Sequence, residues 1–300
     1  MYRKILVGYD DSDQSKDAVA LGHQLADATG AELVVAGVFQ FDPIWGGYDP
    51  HFHEEEADYA RKIEAAAKSV GAEAEAFPSS SAARGLHQLA EEIGADLIIV
   101  GSARYGRVGQ AIAGSVGVAL LHGSPCAVGI APQGFRERSG EDITAIAVGI
   151  DGSPEARLAL EAACDLATET GAKVKLVAVA EPPVIGAGKG GAEGWHELKE
   201  VIEQIMRDRL TEARESVPEG VEVEATLVSG HASEALVNVA ERPATLLMVG
   251  SRGYGPLRRV LLGSVSTRLV RAAPCPLIVT PRGMHHTNED ATGAKVKVAS

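Results

Sequence analysis

The sequence predicts an α/β protein built as two tandem, doubly wound parallel-sheet domains. Three observations lead there. Short β-prone runs alternate with helix-period stretches, the chain is written twice, and its composition is rich in small aliphatic residues and poor in aromatics, at 4%. Strands separated by helices require crossover connections, which make neighbouring strands parallel. Small residues suit the close contacts of helices on a sheet.

Residues 3–9, 32–38, 72–77, 96–100 and 126–131 read as the five strands of the first copy. Between the first two, Ala18, Leu21, Leu25 and Ala26 recur at helical spacing. In the second copy Ser153-Pro154-Glu155 starts a helix, with serine as N-cap and proline at the first helical position. Leu198, Val201, Ile202, Ile205, Met206 and Leu210 mark one face of a long helix. The run Leu246-Leu247-Met248-Val249 is a strand that stops at Gly250-Ser251-Arg252-Gly253, and Gly263-Ser264 opens another helix.

The duplication is explicit. KILVGYDDSDQSKDAVALGHQLADATGAELVVAGV aligns with AIAVGIDGSPEARLALEAACDLATETGAKVKLVAV, so that Asp10 matches Asp151 and Val38 matches Val179, 141 residues apart. ADLIIVGSARYGRVGQAIAGSV aligns with ATLLMVGSRGYGPLRRVLLGSV, so that Gly101 matches Gly250, Ser115 matches Ser264 and Cys126 matches Cys275, 149 residues apart. The period is too long for a solenoid. We therefore expect one domain over residues 1–132, a polar linker over 133–142, a second domain over 143–281 and a polar tail over 282–300. So short a linker favours domains packed side by side.

A net charge of −13 argues against a nucleic-acid or anionic-membrane surface. No apolar run approaches the ~20 residues that span a bilayer. MYRKILVGY reads as a first strand rather than a signal peptide. Cys126, Cys164 and Cys275 form no paired framework, and the cytoplasm is the expected compartment.

In a sheet of this kind ligands bind at the carboxyl ends of the strands, at the switch point. Asp10 and Asp151 fall at the end of the first strand of each copy, and Gly101 and Gly250 at the end of the fourth. A carboxylate there accepts hydrogen bonds from ribose hydroxyls. A Gly-Ser before a helix presents backbone N–H groups and a positive dipole end, worth roughly 0.3–1 kcal/mol to an anion and up to ~2 when partly buried. Turns alone also explain Gly-rich loops, but here the same construction occurs twice with an acidic partner each time.

These motifs make the whole chain resemble a tandem universal stress protein. The family's nucleotide signature is Gly, two residues, Gly, nine residues, then Gly-Ser, and the second copy matches it at Gly250, Gly253, Gly263 and Ser264. The resemblance implies Rossmann-like domains of the adenine-nucleotide alpha-hydrolase-like class, with five parallel strands in the order 3-2-1-4-5. It implies ATP, with Mg²⁺, as a ligand of a stress-response protein. Asp151 would face the ribose and the Val179 backbone the adenine. Gly250, Ser251, Gly253, Gly263, Ser264 and Val265 would wrap the phosphates. The corresponding residues of the first copy are Asp10, Val38, Gly101, Arg104, Gly114, Ser115 and Val116. It also implies that the domains pair through their last strands, as a pseudo-two-fold dimer within the chain, with a further homodimer open.

The first copy departs from the pattern. Arg104 stands where the second glycine belongs, and either swings out, meets a phosphate, or is bypassed by a register shift to Gly106. Asp11 replaces Gly152 and is expected to add negative charge beside an anion site. Three readings follow: a regulatory ATP-binding protein with at most slow hydrolysis, a nucleotide-hydrolysing enzyme of the same broad fold, and an interaction module that binds no nucleotide. The enzyme reading lacks the Ser-Gly-Gly-x-Asp-Ser loop of ATP pyrophosphatases after the first strand. GAGKGG at 186–191 fails as a P-loop, because Pro183 and Gly190 stand where glycine and Ser or Thr are needed. His51-x-His53 beside Glu54-Glu55-Glu56 reads as a solvated helix start, and Arg252, Arg258 and Arg259 as loop charges.

Overall fold

A computed structural model describes residues 2–40, 50–102, 115–138, 142–182, 192–240, 245–251 and 263–281. The first copy runs β1 (Lys4–Gly8), α1 (Asp13–Thr29), β2 (Glu32–Gln40), α2 (Pro50–Ser69), β3 (Glu73–Ser79), α3 (Ala82–Ile93), β4 (Leu97–Gly101), α4 (Ser115–Leu120) and β5 (Ala127–Ala131). After a short 3-10 turn at Phe135–Arg138, the second runs β6 (Ala145–Ile150), α5 (Pro154–Thr170), β7 (Lys173–Ala180), α6 (Ala192–Glu215), β8 (Val223–Ser229), α7 (Ala232–Ala240), β9 (Thr245–Gly250), α8 (Ser264–Ala272) and β10 (Leu277–Thr280).

The ten strands among the described residues lie in one sheet, in the order β3-β2-β1-β4-β5-β10-β9-β6-β7-β8. Each half has the order 3-2-1-4-5 that the resemblance implies, and within each half all the pairs are parallel. The halves join where β5 and β10 run antiparallel. Ile278 faces Gly129, Leu277 faces Ile130 and Val279 faces Val128. Gly129 and Ile278 are matching positions of the two copies, so an approximate two-fold axis passes through that pair.

Strand residues alternate between the two faces, as the two-residue pleat requires. Ile5, Val7, Leu97 and Ile99 pack beneath α1, α2, α5 and α6, in one cluster that runs through both copies. Leu6, Ile98, Val100, Leu247 and Val249 pack on the opposite face with α3, α4, α7 and α8. A parallel sheet covered on both faces explains the near-continuous apolar runs of β1, β4, β6 and β9.

The long helix departs from its expected apolar face. Leu210 is buried and Ile202 and Met206 are half-buried, but Leu198, Val201 and Ile205 are 38%, 54% and 42% exposed. The cause is length. A helix of 24 residues extends about 36 Å, whereas the eight residues of β7 extend about 26 Å. The first turns of α6 therefore run past the sheet.

The stretch expected as a linker packs against the first copy. Asp17, 2% exposed in α1, accepts hydrogen bonds from the backbone N–H groups of Gly134 (2.8 Å) and Arg136 (3.0 Å). The Arg136 guanidinium meets the Asp13 carboxylate at 2.8 Å, and Phe135 is buried. The second copy has Leu158 at the place of Asp17, so this tie has no counterpart.

Two predictions come from this packing. Hydrogen bonds to a charged acceptor contribute ~1.5–3 kcal/mol each. Asp17→Ala should therefore lower the unfolding free energy by roughly 2–4 kcal/mol in urea denaturation. Burial pushes the Cys126 and Cys275 thiols up to about 12 and Cys164 up to about 11, and all three are unpaired. At pH 8 the native protein should leave DTNB unreacted, and all three thiols should react once urea unfolds it.

Candidate functional site

Each copy builds a crevice at the carboxyl ends of its strands. In both, the first strand ends in a turn held by its own acidic residue. Asp10 accepts from the Ser12 backbone N–H at 3.1 Å and from the Ser12 hydroxyl, and Asp151 accepts from the Ser153 N–H at 2.9 Å. The serines then cap the next helix, Ser12 accepting from the Ser15 N–H and Ser153 from the Ala156 N–H, each at 3.1 Å. The turn requires a left-handed residue between acid and serine. Gly152 supplies it at φ 77°, and Asp11 at φ 61° is the non-glycine residue in that region among those described.

A cation from the helix after the second strand of each copy, Lys62 of α2 or Arg209 of α6, covers this turn, by different means. In the first, the Asp11 carboxylate meets Lys16 of α1 at 3.1 Å and Lys62 of α2 at 3.3 Å, and accepts from the Tyr9 hydroxyl at 3.1 Å. Lys16, then Tyr9, then Lys62 hold its carboxyl below the usual range. The expected surplus of negative charge at Asp11 is therefore not what the fold produces, because two ammonium groups answer it. In the second copy, Arg209 of α6 lies over Gly152. A β-carbon on Gly152 would come within 2.7 Å of its Nε, and its guanidinium donates to the Asp151 carbonyl. Aligning Ser69-Val70 with Ser216-Val217 pairs Lys62 with Arg209 and Tyr59 with Met206. Sequence reasoning missed Lys62, Tyr59 and Arg209. That alignment is the signal that finds them.

Opposite the acid stand the ends of β4 and β9. Neither Gly101 nor Gly250 is left-handed. A β-carbon on Gly250 would lie 2.7 Å from Glu155 Cβ and 2.9 Å from the Ala156 nitrogen, and on Gly101 2.2 Å from the Gln14 carbonyl oxygen. The strand stops at glycine because the first turn of α5, or α1, crosses its end. Ser251 is next, and its carbonyl accepts from the Gly263 N–H at 3.0 Å and the Ser266 hydroxyl at 3.1 Å. The two ends of the glycine-rich loop are thereby clipped together at the start of α8.

The N-terminus of α8 differs from those of α1, α3 and α5. Ser12, Ser81 and Ser153 cap those three with a side-chain oxygen. Gly263 caps α8 with none, and no acidic residue lies in its first turn. The first N–H groups of a helix have no intrahelical acceptor. Those of Ser264, Val265 and Ser266 belong to residues that line the crevice.

The second crevice is about 500 Å³ and brings together Asp151, Val179, Gly250, Ser251, Gly263, Ser264 and Val265. The first is about 340 Å³ and brings together Asp10, Val38, Gly101 and Val116, with Tyr59 on its wall. Ser115 begins α4. Gly253, Arg104 and Gly114 lie outside the described residues, as do Gly106, the loop arginines and the GAGKGG segment. Glu181 was also missed. It lines the second crevice and accepts from the Ala232 N–H at 2.8 Å, at the start of α7. Among the described residues no group of His, Cys, Asp and Glu is arranged to hold a metal, and no helix is long and apolar enough to cross a membrane.

The model of the universal stress protein family matches residues 1–132 and again 143–281. The chain belongs to this family. A universal stress protein of Mycolicibacterium smegmatis is 31% identical over 195 residues, covering 63% of this chain and 63% of that protein. One of Mycobacterium tuberculosis is 30% identical over 185 residues, covering 62% and 61%. The matched stretches thus span a little under two thirds of these relatives. The crystal structure of a universal stress protein from Archaeoglobus fulgidus shares the fold, with a TM-score of 0.66 at 23% identity over 93% of this chain and 98% of its own. Another family member, solved in complex with cAMP, is 25% identical over 43% of this chain and 96% of its own, with a TM-score of 0.36.

The lowered Asp11 carboxyl predicts a pH dependence with a definite sign. A carboxyl depressed in the fold adds stability above its unfolded value, near pH 4, and loses it as pH falls through the folded value. Asp11→Asn should lower the melting temperature at pH 7, and the difference from wild type should close as the pH falls from the unfolded value through the lowered, folded one.

Proposed function

We propose that this universal stress protein binds ATP, with Mg²⁺, and uses it as a regulatory ligand in the cytoplasm. The observation that carries the reading is the uncapped N-terminus of α8 on the wall of the crevice that Asp151 also lines. Backbone N–H groups and a positive dipole end suit phosphate there. The Asp151 carboxylate suits ribose hydroxyls, and the Val179 backbone at the end of β7 suits the edge of a base. The crevice volume lies in the range of small-molecule sites, roughly 300–1,000 Å³. Phosphate oxygens would supply most ligands of a Mg²⁺ ion, which keeps few protein ligands when it rides on a nucleotide. The first crevice repeats Asp10, Val38 and Gly101 and is the second candidate site.

Support for a regulatory rather than catalytic role comes from the side chains present. Among the described residues, the charged groups of the second crevice are Asp151, Glu181 and Arg209. Glu181 is engaged at the start of α7 and Arg209 on the Asp151 carbonyl. A ligand that favours one arrangement of α6 and α8 shifts the population that partners meet. Three unpaired buried thiols fit a reducing compartment.

Gly263→Asp separates ligand binding from folding. Aspartate is a good N-cap, so the variant should unfold with the same free energy or a few tenths of a kcal/mol more. Its carboxylate takes the place of a phosphate, so ATP affinity at the second crevice should fall at least about tenfold, or ~1.4 kcal/mol. Native mass spectrometry with ATP and Mg²⁺ reads the stoichiometry, with Gly114→Asp as the matching change in the first copy. A wild-type chain that takes up no nucleotide would overturn the reading in favour of the interaction module. Steady release of phosphate would favour the enzyme.

A further inference from the structure

One further cavity is larger than either nucleotide crevice. It is a groove of about 940 Å³ between the copies, bounded by α1, α2, the residues just before β6 and the end of α5. Its apolar lining is Val19, Ala20, Ala28, Ala66, Val70 and Ile143, with Tyr9 at one side.

Duplication by itself does not produce this groove. The approximate two-fold axis carries Ile143 onto Tyr2 and α1 onto α5. At the equivalent place Tyr2 is 3% exposed, packed in the core, with the Asp165 carboxylate near enough to help push its hydroxyl up, after burial. Asp165 matches Gln24 of the groove. On the groove side a smaller residue stands at three positions, Ile143 for Tyr2, Val19 for Leu160 and Ala20 for Glu161, whereas Ala66 and Val70 match Ala213 and Val217 and Tyr9 is larger than Ile150. The shorter side chains of Val19, Ala20 and Ile143 contribute to the space.

The charges around it have one sign in excess. Asp27, Asp142 and Glu169 line it, against Lys16 and His23. Lys16 is engaged by Asp11 at 3.1 Å, and His23 Nδ1 lies 3.5 Å from Asp27. No ion pair with a described cation is found for Asp142 or Glu169. They come from different elements, the segment before β6 and the last turn of α5, and open on the same space.

We propose that this groove is a binding site for a small cationic amphiphile, an apolar chain or ring bearing one ammonium group. The apolar body lies along Val19, Ala20 and Val70, and the ammonium sits at Asp142 and Glu169. Burial of the chain supplies the affinity, and the carboxylates supply the selectivity for positive charge, since exposed ion pairs alone are weak. The groove shares Tyr9 with the wall of the first nucleotide crevice, but the proposal does not rest on the ATP reading.

The test uses the full chain and three ligands of one length at pH 7: 1-aminooctane, octanoate and 1-octanol. Titration calorimetry and saturation-transfer NMR read affinity and stoichiometry. One equivalent of 1-aminooctane should bind at least tenfold more tightly than octanoate. Ile143→Tyr, which restores the side chain of the filled side, should weaken binding at least tenfold. Ala20→Leu, at a half-buried helix position, should do the same if Ile143→Tyr disturbs folding, as judged by the urea midpoint. The pair Asp142→Asn with Glu169→Gln should bring the amine down to the affinity of 1-octanol and leave 1-octanol unchanged. No saturable binding of the amine in the millimolar range would overturn the proposal. So would equal affinity for octanoate, or amine binding unaltered in folded Ile143→Tyr and Ala20→Leu.

Discussion

The antiparallel pairing of β5 with β10 is the interaction on which the rest of the structure depends. Each copy alone would end in an exposed strand edge, with unpaired N–H and C=O groups along β5 or β10. Pairing those edges satisfies both and makes one ten-stranded sheet. Because the pairing is antiparallel, the carboxyl ends of the two half-sheets point opposite ways. The two crevices therefore lie at opposite ends of the sheet, and the segment before β6 comes to line the same space as Tyr9, which follows β1. That juxtaposition creates the groove between the copies. The register is set at a matched pair, Gly129 against Ile278, so the fold gains near-symmetry from a sequence that is no longer symmetric.

The copies have diverged in how charge is handled at the turn after the first strand. Both need a left-handed residue after the strand-end acid, and both cover it with a cation from the helix that follows the second strand, α2 or α6. One solution is an acidic residue with two lysines, the other a glycine under an arginine. A side chain on Gly152 would meet Arg209, and Asp11 without its lysines would leave a bare carboxylate in a conformation that few residues adopt. The Asp17 tie adds a further asymmetry, because it fastens the connecting segment to the first copy and leaves the second without an equivalent.

The sequence by itself determined the duplication, the alternation of strand and helix, the serine cap of α5, and some of the residues that meet at each crevice, Asp151, Val179, Gly250 and Gly263 among them. These are properties of short stretches: a two-residue or 3.6-residue period, a cap beside its helix, an acid at a strand end. Only the tertiary structure decided what Gly250 is for. Its neighbour is the first turn of α5, nearly a hundred residues earlier, and nothing in VGSRGYG names that contact. The same holds for Lys62 and Arg209, which read as ordinary solvated helix charges until the sheet brings α2 and α6 over the turns. Ile143 carries no sign of a cavity until the two-fold axis sets it opposite the place that Tyr2 fills. Local periodicity is written in neighbouring residues, whereas packing across the sheet depends on which distant elements the β5–β10 pairing brings together.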